Sequence, residues 1–207
     1  MDREELLSKV RKLYVQYNYA ADLIDVYHNS DAAEDEMKKA GRSSATYFRL
    51  VCSACADAFL MTLARLYDVN KDSENIPALI NECKNNKTLF NHPDQVMCYL
   101  TDAGREQKRN NELSETIATI TARRNAFLAH NDRKHFSSRS SSDNGKEDKA
   151  TRYMGMHHVW ELSRYTGELL SFLLSELSCD PSEIGRQYHN EIGDLLPGIS
   201  LDFKAPV

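Results

Sequence analysis

The sequence predicts an all-α protein, a helical bundle in one domain. Only 8 glycines and 5 prolines interrupt the 207 residues, and the abundant Ala, Leu, Glu, Lys and Arg are good helix formers. Apolar residues recur at spacings of three and four along most of the chain, which is the period of an amphipathic helix. The length suffices for one domain with a proper core, and no internal repeat divides it. We therefore predict a single domain over residues 1–207.

Apolar stripes and capping residues place the two long helices of the first half. The first is predicted from about residue 4 to residue 28, and an acidic linker follows near 30–41 that can itself be partly helical. Ser43 or Ser44 can cap the second, which ends near Tyr67. Its inward face is predicted to be Phe48, Val51, Cys55, Phe59, Thr62 and Leu66.

The later helices begin at proline signals or show one apolar face. They are predicted over 76–85 (entered through Pro77), from Pro93 to about 107, over about 111–131, over about 153–178, and in a short stretch that Asp180-Pro181 begins. Residues 137–150 contain no apolar side chain except Ala150 and are predicted to form a mobile loop. The tail of residues 197–207 is predicted to be extended.

Cysteine usage and the amino terminus predict a cytoplasmic protein. The five cysteines are odd in number and lie on predicted helices, which favours reduced thiols. Cys52 and Cys55 form a CxxC pair, but no second Cys or His pair lies nearby, so we interpret them as small core residues. The charged start MDREELLSKVRK is not a signal peptide. No apolar run reaches the ~18 to 20 residues of a membrane span.

The charge distribution indicates a small anion-binding region on an acidic body. The net charge is -5, which alone argues against a nucleic-acid partner. Residues 105–139 nevertheless hold eight Arg or Lys against four acids, so this segment carries +4 and the remainder -9. Such a local basic patch suits a small RNA-contacting site better than a wide duplex-binding surface. The alternative is an ordinary solvated helix face.

The segment RNAFLAH carries the candidate chemistry. Arg124 and His130 stand at its two ends, and the polar Asn125 follows the arginine directly. A guanidinium can hold a phosphate, and an imidazole can transfer protons near neutral pH, so this set suits phosphodiester chemistry without a metal. Arg124 also continues an apolar stripe, made of Leu113, Ile117 and Ile120. A buried arginine needs an anionic partner, and a bound phosphate would serve.

Three sequence blocks in order resemble the HEPN superfamily (higher eukaryotes and prokaryotes nucleotide-binding). Arg-Asn followed by four residues and His, in a late helix of an all-α bundle, is similar to its signature. The blocks LARLYD (63–68), NIPALIN (75–81) and RRNAFLAHND (123–132) resemble its AbiU-like abortive-infection branch. The resemblance implies a HEPN-like helical bundle with additional helices.

The resemblance also implies an activity, which is that of a metal-independent endoribonuclease. Its site would form across a homodimer and need no cofactor or metal. His130 would act as general base or acid, Arg124 would neutralise the transition state, and Asn125 would orient a phosphate oxygen or the histidine. The family is associated with toxin–antitoxin and phage-defence systems, so an antitoxin protein is an expected partner beside the RNA substrate, and no membrane is expected.

Helix geometry leaves the arginine's identity open. Six residues at about 100° each separate Arg124 and His130 by some 120°. The long arginine side chain, fraying of the helix at Asn131 or a second subunit could each bring them together. Arg123 lies on nearly the same face as His130 and is a rival for the phosphate. Arg123 and Arg133 are the other predicted substrate-binding cations.

Other interpretations of these residues stay open. Arg124 can pair with an acid of its own bundle, and a histidine at a helix end can complement the helix dipole. The fold can then serve as an inactive RNA- or protein-binding module, or as a helical adaptor. Asp57 is expected to be a solvated helix residue rather than part of the site. His157, His158 and Glu161 lack the second Glu-x-x-His of a di-metal bundle, so no metal site is predicted.

Overall fold

A computed structural model describes residues 1–39, 45–68, 74–102, 107–128 and 156–184. These residues form six α-helices and two single turns of 3-10 helix, and they contain no strand. The α-helices are α1 (Arg3–Lys39), α2 (Ala45–Leu66), α3 (Ile76–Asn85), α4 (Pro93–Asp102), α5 (Gln107–Leu128) and α6 (Met156–Glu176). The predicted all-α class is confirmed.

The long helices α1 and α2 pack side by side in opposite directions. Glu34 lies against Arg49 at 3.4 Å, and the Cys52 thiol donates to the Tyr27 carbonyl at 3.6 Å. Because later residues of α1 meet earlier residues of α2, the pair is antiparallel. Phe48, Cys55, Phe59 and Leu66 are buried, which confirms most of the predicted inward face, while Val51 and Thr62 are only half-buried.

Helix α1 ends eleven residues later than predicted, because the acidic segment, expected as a linker that can be partly helical, is helical as far as Lys39. Glu34 accounts for much of this continuation. Lys38, one turn later, contacts its carboxylate at 2.7 Å, an i, i+4 pair that stabilises a helix. The Glu34 side chain is buried, and Arg49 of α2 contacts it at 3.4 Å. Packing and charge pairing therefore stabilise a stretch that is weakly apolar.

The core draws on every helix, and α6 contributes the largest continuous part. Leu162, Leu169, Leu170, Leu173 and Leu174 of α6 have no exposed surface. They pack in one cluster with α1, α2, α3, α4 and α5, whose fully buried members include Leu6, Val10, Leu63, Leu66, Ile76 and Val96. Helix α6 thus lies at the centre of the bundle, and the helices that frame the candidate site rest against it.

Helix α3 begins and ends at the residues predicted for it. The Asn75 side chain accepts from the Ala78 backbone N–H at 2.8 Å, and Pro77 stands in the first turn. An asparagine cap followed by proline is a strong local start signal. The short 3-10 turn Lys87–Leu89, which was not predicted, connects this helix to α4.

The beginning of α4 is tied to the end of α6 by Glu176. The buried Glu176 carboxylate accepts from the His92 backbone N–H at 2.9 Å and contacts His92 Nδ1 at 3.2 Å. The Glu176 carbonyl accepts from Asn91 N–H at 2.9 Å. A carboxylate at a helix amino terminus complements the helix dipole, so this contact fixes both the start and the direction of α4.

Several predicted elements lie partly or wholly outside the described residues. At the start of the predicted final helix, Pro181–Glu183 forms one 3-10 turn, capped by Asp180, which accepts from Ser182 N–H at 2.8 Å. The hydrogen bond lowers the pKa of the Asp180 carboxyl. The rest of that predicted helix, beyond residue 184, lies outside the described residues. The predicted cap at Ser43 or Ser44, the loop 137–150 and the tail 197–207 lie outside the described residues.

The interpretation of the CxxC pair as core residues is confirmed. All five cysteines are free thiols. Cys52, Cys55, Cys83 and Cys179 are buried and Cys98 is exposed. Burial raises the pKa of the Cys52 and Cys55 thiols and raises that of Cys83 to about 12, so these groups stay protonated and poorly nucleophilic.

We expect one of the five thiols to react promptly with a thiol reagent at pH 8 in the native protein. Cys98 is the exposed one, whereas the others must wait for local or global opening. Absorbance after addition of Ellman's reagent measures how many thiols per chain react in the fast phase. Unfolding in guanidinium should then expose the remaining thiols to the reagent. Cys98→Ser is expected to abolish the fast phase, and a fast phase that survives this change would contradict the burial of the other four.

The ring of Tyr17 on α1 packs against Gly167 of α6. A Cβ added there would lie 2.5 Å from Cζ and 2.8 Å from Cε1 of Tyr17, which is closer than van der Waals contact. We expect Gly167→Ala to lower the free energy of unfolding by about 1 kcal/mol, the low end of overpacking costs, because the atoms to be displaced are the tip of the half-buried Tyr17 ring. In a Tyr17→Ala background the same change should instead stabilise by about 0.5 to 1 kcal/mol, because alanine is the better helix former. Urea denaturation of the wild type, the two single variants and the double variant measures both values. Equal effects of Gly167→Ala in the two backgrounds would contradict the contact between Tyr17 and Gly167.

One helix of the described residues is long and apolar enough to pass a compositional test for a membrane span. It covers Thr46–Leu66 within α2, and 33% of the window is buried inside the fold. The inward face of α2 belongs to the core described above, and a core helix passes the same test. A single helix of this kind is weak evidence for a membrane protein.

Candidate functional site

The predicted site residues lie at the carboxyl-terminal end of α5. Arg123, Arg124 and Asn125 are in its last two turns, since the helix is described to Leu128. His130 and Arg133 lie outside the described residues, so the structure does not test their positions. Of the predicted site, the structure describes Arg123, Arg124 and Asn125.

Helix α5 presents this end because its middle is anchored in the bundle. Leu113 and Ile120 are buried and Ile117 is half-buried, as the stripe predicted. Thr116 and Thr119 are buried as well. The helix contacts both α2 and α6. The stripe continues to Arg124, and this residue is accordingly turned toward the bundle.

The Arg124 guanidinium is bound by groups of its own chain. Its Nη1 donates to Asp68 Oδ2 at 2.7 Å and makes a long contact of 3.5 Å with the Ala64 carbonyl. Its Nε and Nη2 donate to the Asn125 side-chain oxygen at 3.2 and 3.0 Å. The Arg124 side chain is 12% exposed. The cation is thus held from two sides, by α2 and by its neighbour in α5.

The partner groups on α2 belong to the end of that helix. The Asp68 N–H donates to the Arg65 carbonyl at 3.2 Å, an i to i−3 bond that tightens the last turn, and the Ala64 carbonyl lies 3.5 Å from Arg124 Nη1. A cation near a helix carboxyl terminus is stabilised by the helix dipole. Arg124 therefore closes the end of α2 in addition to pairing with Asp68.

Tyr67, next to Asp68, fixes this end of α2 against α6. Its hydroxyl and the Thr166 hydroxyl lie 2.8 Å apart in the interior, and Thr166 donates to the Leu162 carbonyl at 2.7 Å. Burial raises the pKa of the Tyr67 phenol well above its usual range, so it remains a neutral hydrogen-bonding group. The backbone that carries Asp68 is consequently held by a buried side chain on its amino-terminal side.

The structure corrects the argument that an unpaired Arg124 calls for a phosphate. Its anionic partner is Asp68, so the pairing with an acid of the same bundle, which the sequence left as an alternative, is what the structure shows. Sequence reasoning quoted Asp68 within the LARLYD block and gave it no role. A signal was present, since an acid at a helix carboxyl terminus opposes the helix dipole and needs a compensating cation.

The remaining candidates are placed as follows. Arg123 is half-buried on α5, and Asp57 is exposed on α2, in agreement with its interpretation as a solvated residue. His157 Nε2 contacts Glu161 Oε1 at 3.4 Å. Within the described ranges no group of three His, Cys, Asp or Glu side chains could hold a metal ion.

Comparison with known proteins gives one match. The family model AbiU2, named HEPN_AbiU2, matches residues 3–195. No curated protein and no solved structure matches the chain. The match includes the three blocks quoted above and nearly all of the 207 residues. The chain therefore belongs to the AbiU2 family of HEPN proteins.

Proposed function

We propose that this protein is a metal-independent endoribonuclease that acts as the toxin of a toxin–antitoxin or phage-defence system. Membership in a HEPN family supports the class of activity. The single observation that carries the proposal at the site is the edge-on contact of Arg124 with the exposed Asn125. The side-on edge of the Arg124 guanidinium lies beside the exposed Asn125. In the proposal His130, five residues after Asn125, acts on the same phosphate.

The proposed reaction is transesterification within the RNA strand. The ribose 2′-oxygen attacks the adjacent phosphorus, the bond from phosphorus to the 5′-oxygen breaks, and the products are a 2′,3′-cyclic phosphate and a 5′-hydroxyl. One His130 imidazole accepts the 2′-proton, and an imidazole returns a proton to the leaving oxygen. Arg124 neutralises charge on the phosphate oxygens in the transition state. Asn125 orients a phosphate oxygen, and Arg123 and Arg133 contact the neighbouring backbone.

A homodimer would supply two copies of the motif to one site. On a regular helix Arg124 and His130 diverge by about 120°, so a partner subunit's motif facing the first would complete the set. This arrangement and an antitoxin partner are part of the proposal. A cytoplasmic location, where the five cysteines would stay reduced, is also part of the proposal.

The experiment that tests the proposal is RNA cleavage in the presence of EDTA. Purified protein is incubated with total RNA and with a short synthetic RNA, and the product ends are identified. We expect cyclic phosphate and 5′-hydroxyl ends without added metal. A DNA strand of the same sequence should remain intact because it lacks the 2′-hydroxyl. Intact RNA, or cleavage that EDTA abolishes, would contradict the proposal.

The second candidate function is a HEPN-like module that binds RNA or protein without turnover. The ion pair between Arg124 and Asp68 favours it, because it accounts for the buried arginine without a phosphate. Saturable RNA binding without any cyclic-phosphate product would distinguish this module from the nuclease.

A further inference from the structure

One carboxylate that the proposed reaction does not use lies against the motif arginine. Asp68 Oδ2 accepts from Arg124 Nη1 at 2.7 Å, and the two side chains are 27% and 12% exposed. We infer that Asp68 is a positioning residue, which holds one end of the Arg124 guanidinium so that its other edge is presented to the substrate phosphate. The inference rests on the proposed function and names a further residue of the same site.

The hydrogen bonds divide the guanidinium into two parts. Nη1 is directed to Asp68 and to the Ala64 carbonyl, both on the α2 side. Nε and Nη2 form the side-on fork of an arginine, which matches two oxygens of a phosphate or carboxylate. Both fork atoms donate to the single Asn125 side-chain oxygen. Nε and Nη2 therefore share one neutral acceptor oxygen, whereas a phosphate would offer them two charged acceptor oxygens.

The two contacts differ in strength and in exposure. The contact with Asp68 joins two ionised groups, and such hydrogen bonds are roughly twice as strong as neutral ones. The contact with Asn125 is made by an exposed amide on the adjacent residue. An arriving phosphate would accordingly displace the Asn125 oxygen and leave Nη1 on Asp68. The arginine then meets the phosphate with its orientation already fixed, which lowers the entropy lost on binding.

The backbone on the amino-terminal side of Asp68 is tied to α6. Asp68 follows Tyr67, whose buried hydroxyl contacts Thr166 of α6, and its own N–H is bonded to Arg65. Misplacement of a charged group by about 1 Å can cost about 10²-fold in rate. Loss of the anchor should therefore reduce the rate of cleavage at saturating RNA more than it weakens RNA binding.

The test compares Asp68→Ala and Asp68→Asn with the wild type. Asparagine keeps an oxygen that can accept from Nη1, whereas alanine removes it. We expect kcat, corrected for the folded fraction by circular dichroism, to fall by about 10- to 100-fold in Asp68→Ala and to be largely restored in Asp68→Asn. The affinity for a 2′-O-methyl RNA, which cannot be cleaved, is measured by fluorescence anisotropy for each protein.

A matched control breaks an equally short ion pair elsewhere in the bundle. Lys9 Nζ and Glu82 Oε1 lie 2.7 Å apart, with side chains 32% and 35% exposed. Glu82→Ala is expected to leave kcat of the folded protein unchanged. If Asp68→Ala behaves like Glu82→Ala, or if it cleaves faster than the wild type, Asp68 is structural or competes with the phosphate, and the inference is overturned.

The same measurements separate this inference from the proposed function. If the wild type cleaves RNA and Asp68→Ala does so equally well, the nuclease stands and the positioning role fails. If the wild type binds RNA without cleaving it, the nuclease fails. In that case an affinity that falls in Asp68→Ala and recovers in Asp68→Asn supports the role of Asp68 in presenting Arg124. A wild type that neither binds nor cleaves RNA overturns both.

Discussion

RNA cleavage is expected to fall by about 10²- to 10⁴-fold when His130 is replaced by alanine, which is the usual contribution of a general acid–base group. The helical fold should be retained, because the change removes one side chain and leaves every described core residue of α1 to α6 in place. Rates are measured with a synthetic RNA under EDTA, and the melting temperature and far-ultraviolet circular dichroism are recorded alongside. Expression of the variant in cells should likewise no longer arrest growth.

The matched control for this change is a histidine outside the proposed site. His157 lies on α6 with its side chain 77% exposed, where it pairs with Glu161. His157→Ala should cleave RNA at the wild-type rate. If His130→Ala also cleaves at that rate, the proton transfer belongs to another group or the activity comes from a contaminant. If both variants lose activity together, the assay reports damage to the fold rather than chemistry.

The free energy of unfolding is expected to fall by about 3 to 5 kcal/mol in Phe59→Ala, the cost of removing a large ring from a packed core. Phe59 is 1% exposed, and its ring centre lies 6.1 Å from that of Trp160 on α6. The ring thus joins α2 to the central helix. Since domains are stable by only about 5 to 15 kcal/mol in total, much of the stability would be lost.

The chain contains one tryptophan, so its fluorescence reports on this contact directly. Urea denaturation followed by Trp160 fluorescence and by circular dichroism measures the loss. Leu50→Ala is the matched control, because Leu50 lies on the same helix and is 69% exposed. It should change stability by no more than about 0.5 kcal/mol. Equal losses in the two variants would mean that Phe59 is not a core residue.

The elements that were predicted best carry their own start signals. Helix α3 was predicted at its observed bounds because Asn75 and Pro77 specify its first turn locally. The end of α1 was missed because residues 30–39 are acidic and only weakly apolar. Their helical state depends on Glu34, which is stabilised by Lys38 within the helix and by Arg49 from α2. The contact of Arg49 with Glu34 joins two different helices, so the sequence pattern of residues 30–39 does not reveal it.

For the candidate site, the sequence predicted the inward position of Arg124 but not the residue that pairs with it. The stripe that predicted an inward position for Arg124 is a local property of α5, and it is confirmed. The identity of its partner is not local, because Asp68 and Arg124 are 56 positions apart. A phosphate and an aspartate satisfy the same guanidinium, so periodicity alone could not distinguish them.

The sequence by itself determined the helical class, the order of the helices, the core position of Cys52 and Cys55 and the family, since composition, periodicity and motif order are properties of the chain. The tertiary structure alone decided which charges meet. It placed the end of α2 beside α5, paired Asp68 with Arg124 and left the opposite edge of the guanidinium on an exposed amide. Ion pairs between helices depend on distances of a few ångströms, and only the packing of the core sets those distances.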